Sequence, residues 1–310
     1  MAPLLSVKDL SVTFDTNRGR VQALDGISFA VNRGETVCLV GESGSGKTVA
    51  CESLTRLLPT PPAQLDGTVN FNGRDLLAVK QETLNGIRGN RIAHIFQNPQ
   101  DALDPVYTVG DQLVEAIQLH RSDSQRQARR RAIELLDRVG IPNPAERFGE
   151  YPHEFSGGMK QRVIIAIALS CNPDLLVADE PTTALDVTTQ SSILQLLQTL
   201  QTEHNMGILF VTHDLGVVAQ IADHVVVLYA GKVMEQGGVF DIFDRPAHPY
   251  TQALLESILR RGQDPTPIGG SLPDLTAPPS GCRFHPRCPH TIDDCRKNDQ
   301  PPLQAAESDE

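Results

Sequence analysis

The sequence predicts an α/β fold, and three observations carry that prediction. Short apolar runs rich in β-branched residues recur along the chain. Helical patterns separate them, and one run ends in a glycine-rich loop that opens a helix. Strands that alternate with helices favour a largely parallel sheet covered on both faces. In chain order, residues 5–14 and 21–31 read as strands by near alternation, and residues 36–40 as a buried strand that ends in glycine. Residues 67–73 alternate between two glycines, as an edge strand does. Residues 91–96, 175–178, 207–211 and 225–229 are further buried strands. Residues 125–139 and 189–203 carry the clearest helical spacing. In the first of these, Ala132, Ile133, Leu135, Leu136 and Val139 form an apolar stripe, so the arginines of 125–131 are its solvated face.

Acidic residues outnumber basic ones, 38 against 27, for a formal net charge of −11. That balance does not suit a nucleic-acid backbone, which calls for clustered excess Lys and Arg. No apolar stretch reaches the ~18–20 residues that cross a bilayer. The first residues lack a basic-then-apolar leader, so a cytoplasmic location is expected. With 40% hydrophobic residues the chain can build a large core, which excludes disorder of the whole. The length suits two domains, or one with an appendage. Six cysteines are too few for a disulfide-stapled secreted domain of this size. Cys38, Cys51 and Cys171 fall in apolar or helical contexts and are expected in the core. Cys282, Cys288 and Cys295 gather in the tail, where nine of the 22 prolines also lie, from Pro265 to Pro302. The composition therefore shifts near Arg260, and a boundary is expected there or earlier.

Gly41-Glu42-Ser43-Gly44-Ser45-Gly46-Lys47-Thr48 matches the phosphate-loop pattern in full, after a strand and before a helix that opens at Thr48. The glycines let successive backbone N–H groups converge on phosphate oxygens, and the helix start adds the positive end of its dipole. Lys47 would reach the β- and γ-phosphates and the Thr48 hydroxyl would ligate Mg²⁺. Leu175-Leu176-Val177-Ala178-Asp179-Glu180 is an apolar strand that ends in two carboxylates. After a phosphate loop, Asp179 would hold magnesium through its water shell and Glu180 would act on the attacking water as general base or orienter.

Phe155-Ser156-Gly157-Gly158-Met159-Lys160-Gln161-Arg162 resembles the signature motif of ABC-type ATPases. Phe155 and Met159 depart from the commoner Leu-Ser-Gly-Gly-Gln form, but neither departure touches Ser-Gly-Gly. Gln97 after Ile95-Phe96 resembles the family's Q-loop glutamine, also a magnesium ligand. Ala184-Leu185-Asp186 resembles the D-loop, and His213 the switch histidine at the γ-phosphate. The six elements, in the family's order, cover roughly residues 5–235. Phe14 matches the position of the aromatic that stacks on adenine, and is equally a candidate for ordinary core. The resemblance implies a P-loop NTPase of ABC type with a mixed sheet, an inserted helical subdomain (about 98–170) and a C-terminal Cys/Pro-rich extension. It divides the chain into an ATPase domain, 1–240, and an extension, 241–310. It also implies that ATP sits between the phosphate loop of one chain and Ser156, Gly157 and Gly158 of another, a copy or a paralogue. Asn98-Pro99 and Leu103-Asp104-Pro105-Val106 would face the coupling helices of a permease.

Ala247-His248-Pro249-Tyr250-Thr251-Gln252-Ala253-Leu254-Leu255 is similar to the extension of ATPases that serve dipeptide, oligopeptide and nickel importers. That resemblance implies two permease subunits, a second ABC ATPase, an extracytoplasmic binding protein and a peripheral place on the inner face of the cell membrane. Nucleic acid is not an expected partner. Dipeptides, longer peptides and nickel complexes all remain open as cargo. The rival class is a soluble ABC ATPase acting on nucleic acid or ribosomes, which the acidic balance disfavours. Cys282, Cys288 and Cys295 belong to the same extension, and the resemblance implies a [4Fe–4S] cluster. No fourth cysteine follows them; His285 and His290 are the nearby substitutes, and zinc or no metal are the alternatives. A proline-rich segment cannot pack a core alone, which makes a metal staple attractive.

Overall fold

The computed structural model describes residues 2–17, 19–97, 102–183, 185–257, 267–297 and 303. Its strands form two sheets rather than one. The first is antiparallel, in the order β2-β1-β4-β5, from β1 (Leu5–Thr16), β2 (Gly19–Val31), β4 (Ala63–Phe71) and β5 (Arg74–Asp75). The alternation in residues 67–73 thus belongs to a strand that starts earlier and has only the two-residue β5 on its outer side. The second sheet is mixed, in the order β10-β9-β3-β8-β7-β6. It comprises β3 (Thr36–Val40), β6 (Ile92–Ile95), β7 (Leu175–Asp179), β8 (Gly207–Thr212), β9 (His224–Tyr229) and β10 (Lys232–Gly238). All its pairs are parallel except β9 with β10, which the sequence pattern did not mark.

The antiparallel sheet exists because the mixed sheet has two apolar faces to bury. Along β3 the side chains alternate: Val37 and Leu39 pack with the core of β1, β2 and β4, whereas Cys38 and Val40 pack with the helices. The first helix, α1 (Lys47–Leu54), buries Ala50, Cys51 and Leu54 on the side of the antiparallel sheet. Cys38, Cys51 and Cys171 are all buried, and burial pushes the Cys38 and Cys51 thiols up.

A short α2 (Gln81–Asn85) precedes β6. Between β6 and β7 lie α3 (Val109–His120), α4 (Gln125–Arg138), α5 (Pro144–Arg147) and α6 (Gly157–Leu169). Each long helix starts where a side chain satisfies its free N–H groups. Thr108 caps α3, and Ser124 with Gln127 forms a capping box on α4. α4 buries Ala128, Ala132, Leu135 and Leu136, while Arg126, Arg129 and Arg130 are exposed. The helices α7 (Val187–His204) and α8 (Leu215–Ile221) follow β7 and β8, each capped by an aspartate, Asp186 and Asp214.

After β10 come α9 (Val239–Asp244) and α10 (Pro249–Glu256), then residues 267–297 with two short 3-10 turns. This segment borrows a core instead of building one. Phe284, 1% exposed, meets Tyr229 of β9 and Tyr250 of α10 at ring-centroid distances of 5.3 and 5.2 Å. The expected boundary near Arg260 lies outside the described residues.

Candidate nucleotide-binding site

The loop 41–48 leaves β3 at the C-terminal end of the mixed sheet and enters α1 at Lys47, one residue before the expected start. Gly41 has φ +151, and a Cβ there would lie 2.0 Å from the Leu228 carbonyl oxygen, so only glycine fits. Gly46 caps α1 at φ +107, against the Ala23 carbonyl. The Lys47 side chain is buried and its ammonium donates to the carbonyls of Gly41 and Glu42 at 2.8 and 3.0 Å. Burial lowers its pKa, opposed by the charges of Glu180 and Asp179. Ser43, Gly44, Gly46, Lys47 and Thr48 line a cavity of about 260 Å³ with Gln97 and Glu180. Ala23, Val49 and Leu275 complete it. Ser45, by contrast, is buried beneath the loop.

Asp179 ends β7 beside this loop. Burial raises its pKa, partly offset by a hydrogen bond with Thr48. Its Oδ1 is buried with no protein partner. An orphaned carboxylate oxygen next to a threonine hydroxyl is the oxygen donor set that Mg²⁺ takes, so Thr48 and Asp179 fit the ion.

Glu180 is the next residue, in the left-handed region at φ +48. Its carboxylate gathers the predicted switch and Q-loop side chains. His213 Nδ1 lies 3.0 Å from Oε1, and Gln97 Nε2 and Thr183 Oγ1 donate to Oε2 at 3.1 and 2.9 Å. Burial pushes the Glu180 carboxyl up, but the bonds from His213 and Thr183, the His213 charge and the Gln97 bond outweigh it, and the net shift is down. The group is thus held ionised, with His213 and Gln97 at the exposed mouth.

Other predicted residues lie apart. Ser156, exposed, caps α6 by accepting from Met159 N–H at 3.3 Å; Gly157 follows it at the surface. Gly158 packs on Thr189, and Asp186 caps α7 by accepting from Thr189 Oγ1 at 2.7 Å and Thr189 N–H at 2.9 Å, bonds that lower its pKa. None of these four lines the cavity of the same chain. Nor does Phe14, half-buried against the core of the antiparallel sheet. Leu103 is 2% exposed, whereas Asp104, Pro105 and Val106 of the same predicted segment are exposed, with exposed Phe96 and Tyr107 nearby in sequence. Asn98, Pro99 and Ala184 lie outside the described residues.

The tail cysteines do not form the expected metal centre. Cys282 N–H donates to the Cys295 carbonyl at 3.0 Å, and burial, with Cys295 and Cys288 nearby, pushes the Cys282 thiol up. Yet among the described residues no group of three or more His, Cys, Asp or Glu is placed to hold a metal ion. As arranged, these residues do not fit the expected cluster.

A family model described as ABC transporter matches residues 24–183, more than half of the chain. The chain belongs to the ABC transporter family. Residues 234–295 of this ABC protein match a second model, described as oligopeptide/dipeptide transporter, C-terminal region. The dipeptide transport ATP-binding protein DppD of Bacillus subtilis (strain 168) is 50% identical over 299 residues, 95% of this chain and 89% of that one. The oligopeptide transport ATP-binding protein OppD of the same organism is 49% identical over 286 residues, 91% of this chain and 80% of that one. Among solved structures, the ATP-binding cassette MJ0796, as a dimer in a post-hydrolysis state bound to ADP and Pi, superposes with a TM-score of 0.68 at 28% identity. That match covers 76% of this chain and 98% of the cassette. The fold is therefore that of an ABC ATP-binding cassette, α/β with a mixed sheet and a helical subdomain. Among the described residues no helix is long and apolar enough to cross a membrane.

Sequence reasoning missed several residues at the site, Ala23 and Val49 of the cavity wall among them. Thr183 follows the carboxylate pair by three positions and was legible as a nearby hydroxyl. Tyr250, Leu275 and Arg287 come from the far end of the chain. Tyr250 lay in a segment singled out for its resemblance and Arg287 lies between Cys282 and Cys288; no spacing rule ties either to Glu42, whose N–H donates to Tyr250 Oη and whose carboxylate pairs with Arg287.

Proposed function

We propose that this chain is the ATP-hydrolysing subunit that energises an ABC importer of dipeptides and oligopeptides. The observation that carries the reading is the ionised Glu180, held by His213, Gln97 and Thr183 at the edge of a cavity floored by the phosphate loop. The names of DppD and OppD, and the match of residues 234–295, support peptides over nickel as cargo.

In this reading the N–H groups of Gly44, Gly46 and Thr48, with those of Gly41 and Ser43 at the loop's start, cradle the phosphates, and the Ser45 N–H and the Lys47 ammonium, both bonded to loop carbonyls here, turn to the phosphates, Lys47 to the β- and γ-phosphates. Thr48 and Asp179 hold Mg²⁺ with Gln97 beside them; when bound, the ion neutralises charge on the phosphates. Glu180 accepts a proton from the attacking water, whose oxygen bonds to the γ-phosphorus as the bond to the β-phosphate oxygen breaks. The products are ADP and inorganic phosphate. His213 keeps Glu180 oriented and contacts the γ-phosphate. Phe14, which the family resemblance assigns to the adenine, does not line the cavity and has no part in these steps.

Ser156, Gly157, Gly158 and Asp186 serve the nucleotide of a second ABC ATPase. Their exposure, and their distance from the cavity of their own chain, support this. Residues 1–240 act as the ATPase domain, with the helical subdomain at about 98–170, and 241–310 as the extension. Exposed Phe96, Val106 and Tyr107 offer the apolar contact for one of two permease subunits, on the cytoplasmic face of the membrane. An extracytoplasmic binding protein would deliver the peptide. The test is co-purification with the permeases and peptide uptake into proteoliposomes, wild type against Glu180→Gln. ATP-dependent uptake lost in the variant is expected; uptake that persists without ATP would sink the reading.

A further inference from the structure

The nucleotide cavity is anchored from the far end of the chain. Arg287 holds the Glu42 carboxylate in a two-pronged pair, Nη1 to Oε2 at 2.6 Å and Nη2 to Oε1 at 3.0 Å. The arginine side chain is 5% exposed and the glutamate 27%. Arg287 Nε also donates to the Gly269 carbonyl at 2.7 Å, and its guanidinium lies 5.6 Å from the centroid of the Tyr229 ring. Two further contacts tie the same segment to the loop. Tyr250 Oη accepts from Glu42 N–H at 3.0 Å. Arg283, 3% exposed, donates to the Ala230 carbonyl and pairs with Asp25, while the next residue, Gly231, donates to the Ser45 carbonyl at 2.8 Å. Leu275, a cavity wall, accepts from Gln22 N–H at 3.0 Å.

Glu42 is an awkward residue to find in a phosphate cradle. Its carbonyl accepts from both Lys47 Nζ and Ser45 N–H, so its backbone position sets theirs. Its carboxylate, left alone, would repel a polyanionic nucleotide across a poorly screened gap. A bidentate guanidinium cancels that charge and fixes the direction of the side chain, which a lysine ammonium cannot do as well.

We infer that Arg287 is a positioning residue for nucleotide binding. By neutralising and orienting Glu42 it holds the phosphate loop in its ATP-binding shape, so the C-terminal segment sets the affinity of the chain for ATP. The inference rests on the proposed role of loop 41–48.

The experiment is calorimetric titration of the full-length chain with Mg·ATP, alongside thermal unfolding of each variant. Arg287→Met is expected to raise the ATP Kd about tenfold or more, roughly 1.4 kcal/mol. Arg287→Lys should fall between. Arg287→Met combined with Glu42→Gln should return to within about threefold of wild type, because the uncompensated carboxylate is gone. A merely structural arginine would lower Tm in single and double variants alike, with no rescue and no change in the Kd of the folded protein. Folded Arg287→Met that binds ATP like wild type, or failure of Glu42→Gln to rescue it, overturns the inference. If Arg287→Met does not fold, Arg287→Lys decides: a wild-type Kd overturns it and a raised Kd supports it. A wild-type chain that does not bind ATP overturns the reading of the loop instead.

Discussion

At the phosphate loop, a helix start is folded into its own chain. Lys47 is 6% exposed and bonds back to the loop, Gly41 is pressed against β9, and Arg287 reaches in from the tail. At the signature, the start of α6 is left in the open, with Ser156 and Gly157 exposed. Both ends carry free N–H groups and a positive dipole end, so both suit phosphate. The difference lies in what surrounds them. The first has the carboxylates of Asp179 and Glu180 and a cavity; the second has the helix-capping Asp186 and an exposed Val187 at 82% beside it. In the proposed reading one chain holds two unlike halves of a site, and another chain supplies the missing half.

The largest effect that would sharpen this contrast is chemical. Glu180→Gln should lower steady-state phosphate release by about 100-fold or more, while ATP affinity stays within about threefold, since a lost general base acts on the transition state. A drop in affinity as large as the drop in turnover would mean that Glu180 only shapes the cavity. Lys47→Ala removes a charge that the loop was built around. An increase of about 30-fold or more in the ATP Kd is expected by calorimetry, and unchanged affinity would break the distinction between the buried and open helix starts.

The strand that delivers Gln97 supplies a pH test. Burial, with the Arg88 charge, pushes the His94 imidazole down to about 4, and its Nε2 lies 2.9 Å from Thr55 Oγ1. The unfolded chain takes up this proton near the ordinary value of about 6.5, before the folded one does. Stability is therefore full above that pH and declines as pH falls from about 6.5 to 4, by about 1–3 kcal/mol from this residue. Denaturant midpoints should show the decline in wild type and a shallower one in His94→Gln. The smallest effect is expected at Phe14. Because its ring packs on the sheet and does not line the cavity, Phe14→Ala should change ATP affinity less than about threefold. A loss of 1–3 kcal/mol, about 5- to 100-fold, would restore it as a stacking partner for the base.

Much of this was legible in advance, for physical reasons. A phosphate loop constrains backbone and side chains over eight consecutive residues, and a buried strand that ends in Asp179-Glu180 announces itself by its apolar run. The antiparallel sheet was not legible. Alternation in β1, β2 and β4 marks strands but does not say which sheet they join, and only the second apolar face of β3 requires a partner. In the tail the cluster that the resemblance implied finds no support, and composition alone could not show that Phe284 packs between Tyr229 and Tyr250. Arg287 and Glu42 were each visible, but nothing local joins them.

The central claim, that this chain binds ATP at its own phosphate loop and completes the nucleotide site of another chain with its signature, is tested most directly by Ser156→Arg in the assembled transporter. Photolabelling of this chain by 8-azido-ATP should remain at the wild-type level while ATP turnover falls by about 30-fold or more. Turnover that persists, or labelling of this chain that falls in step with it, would contradict the account.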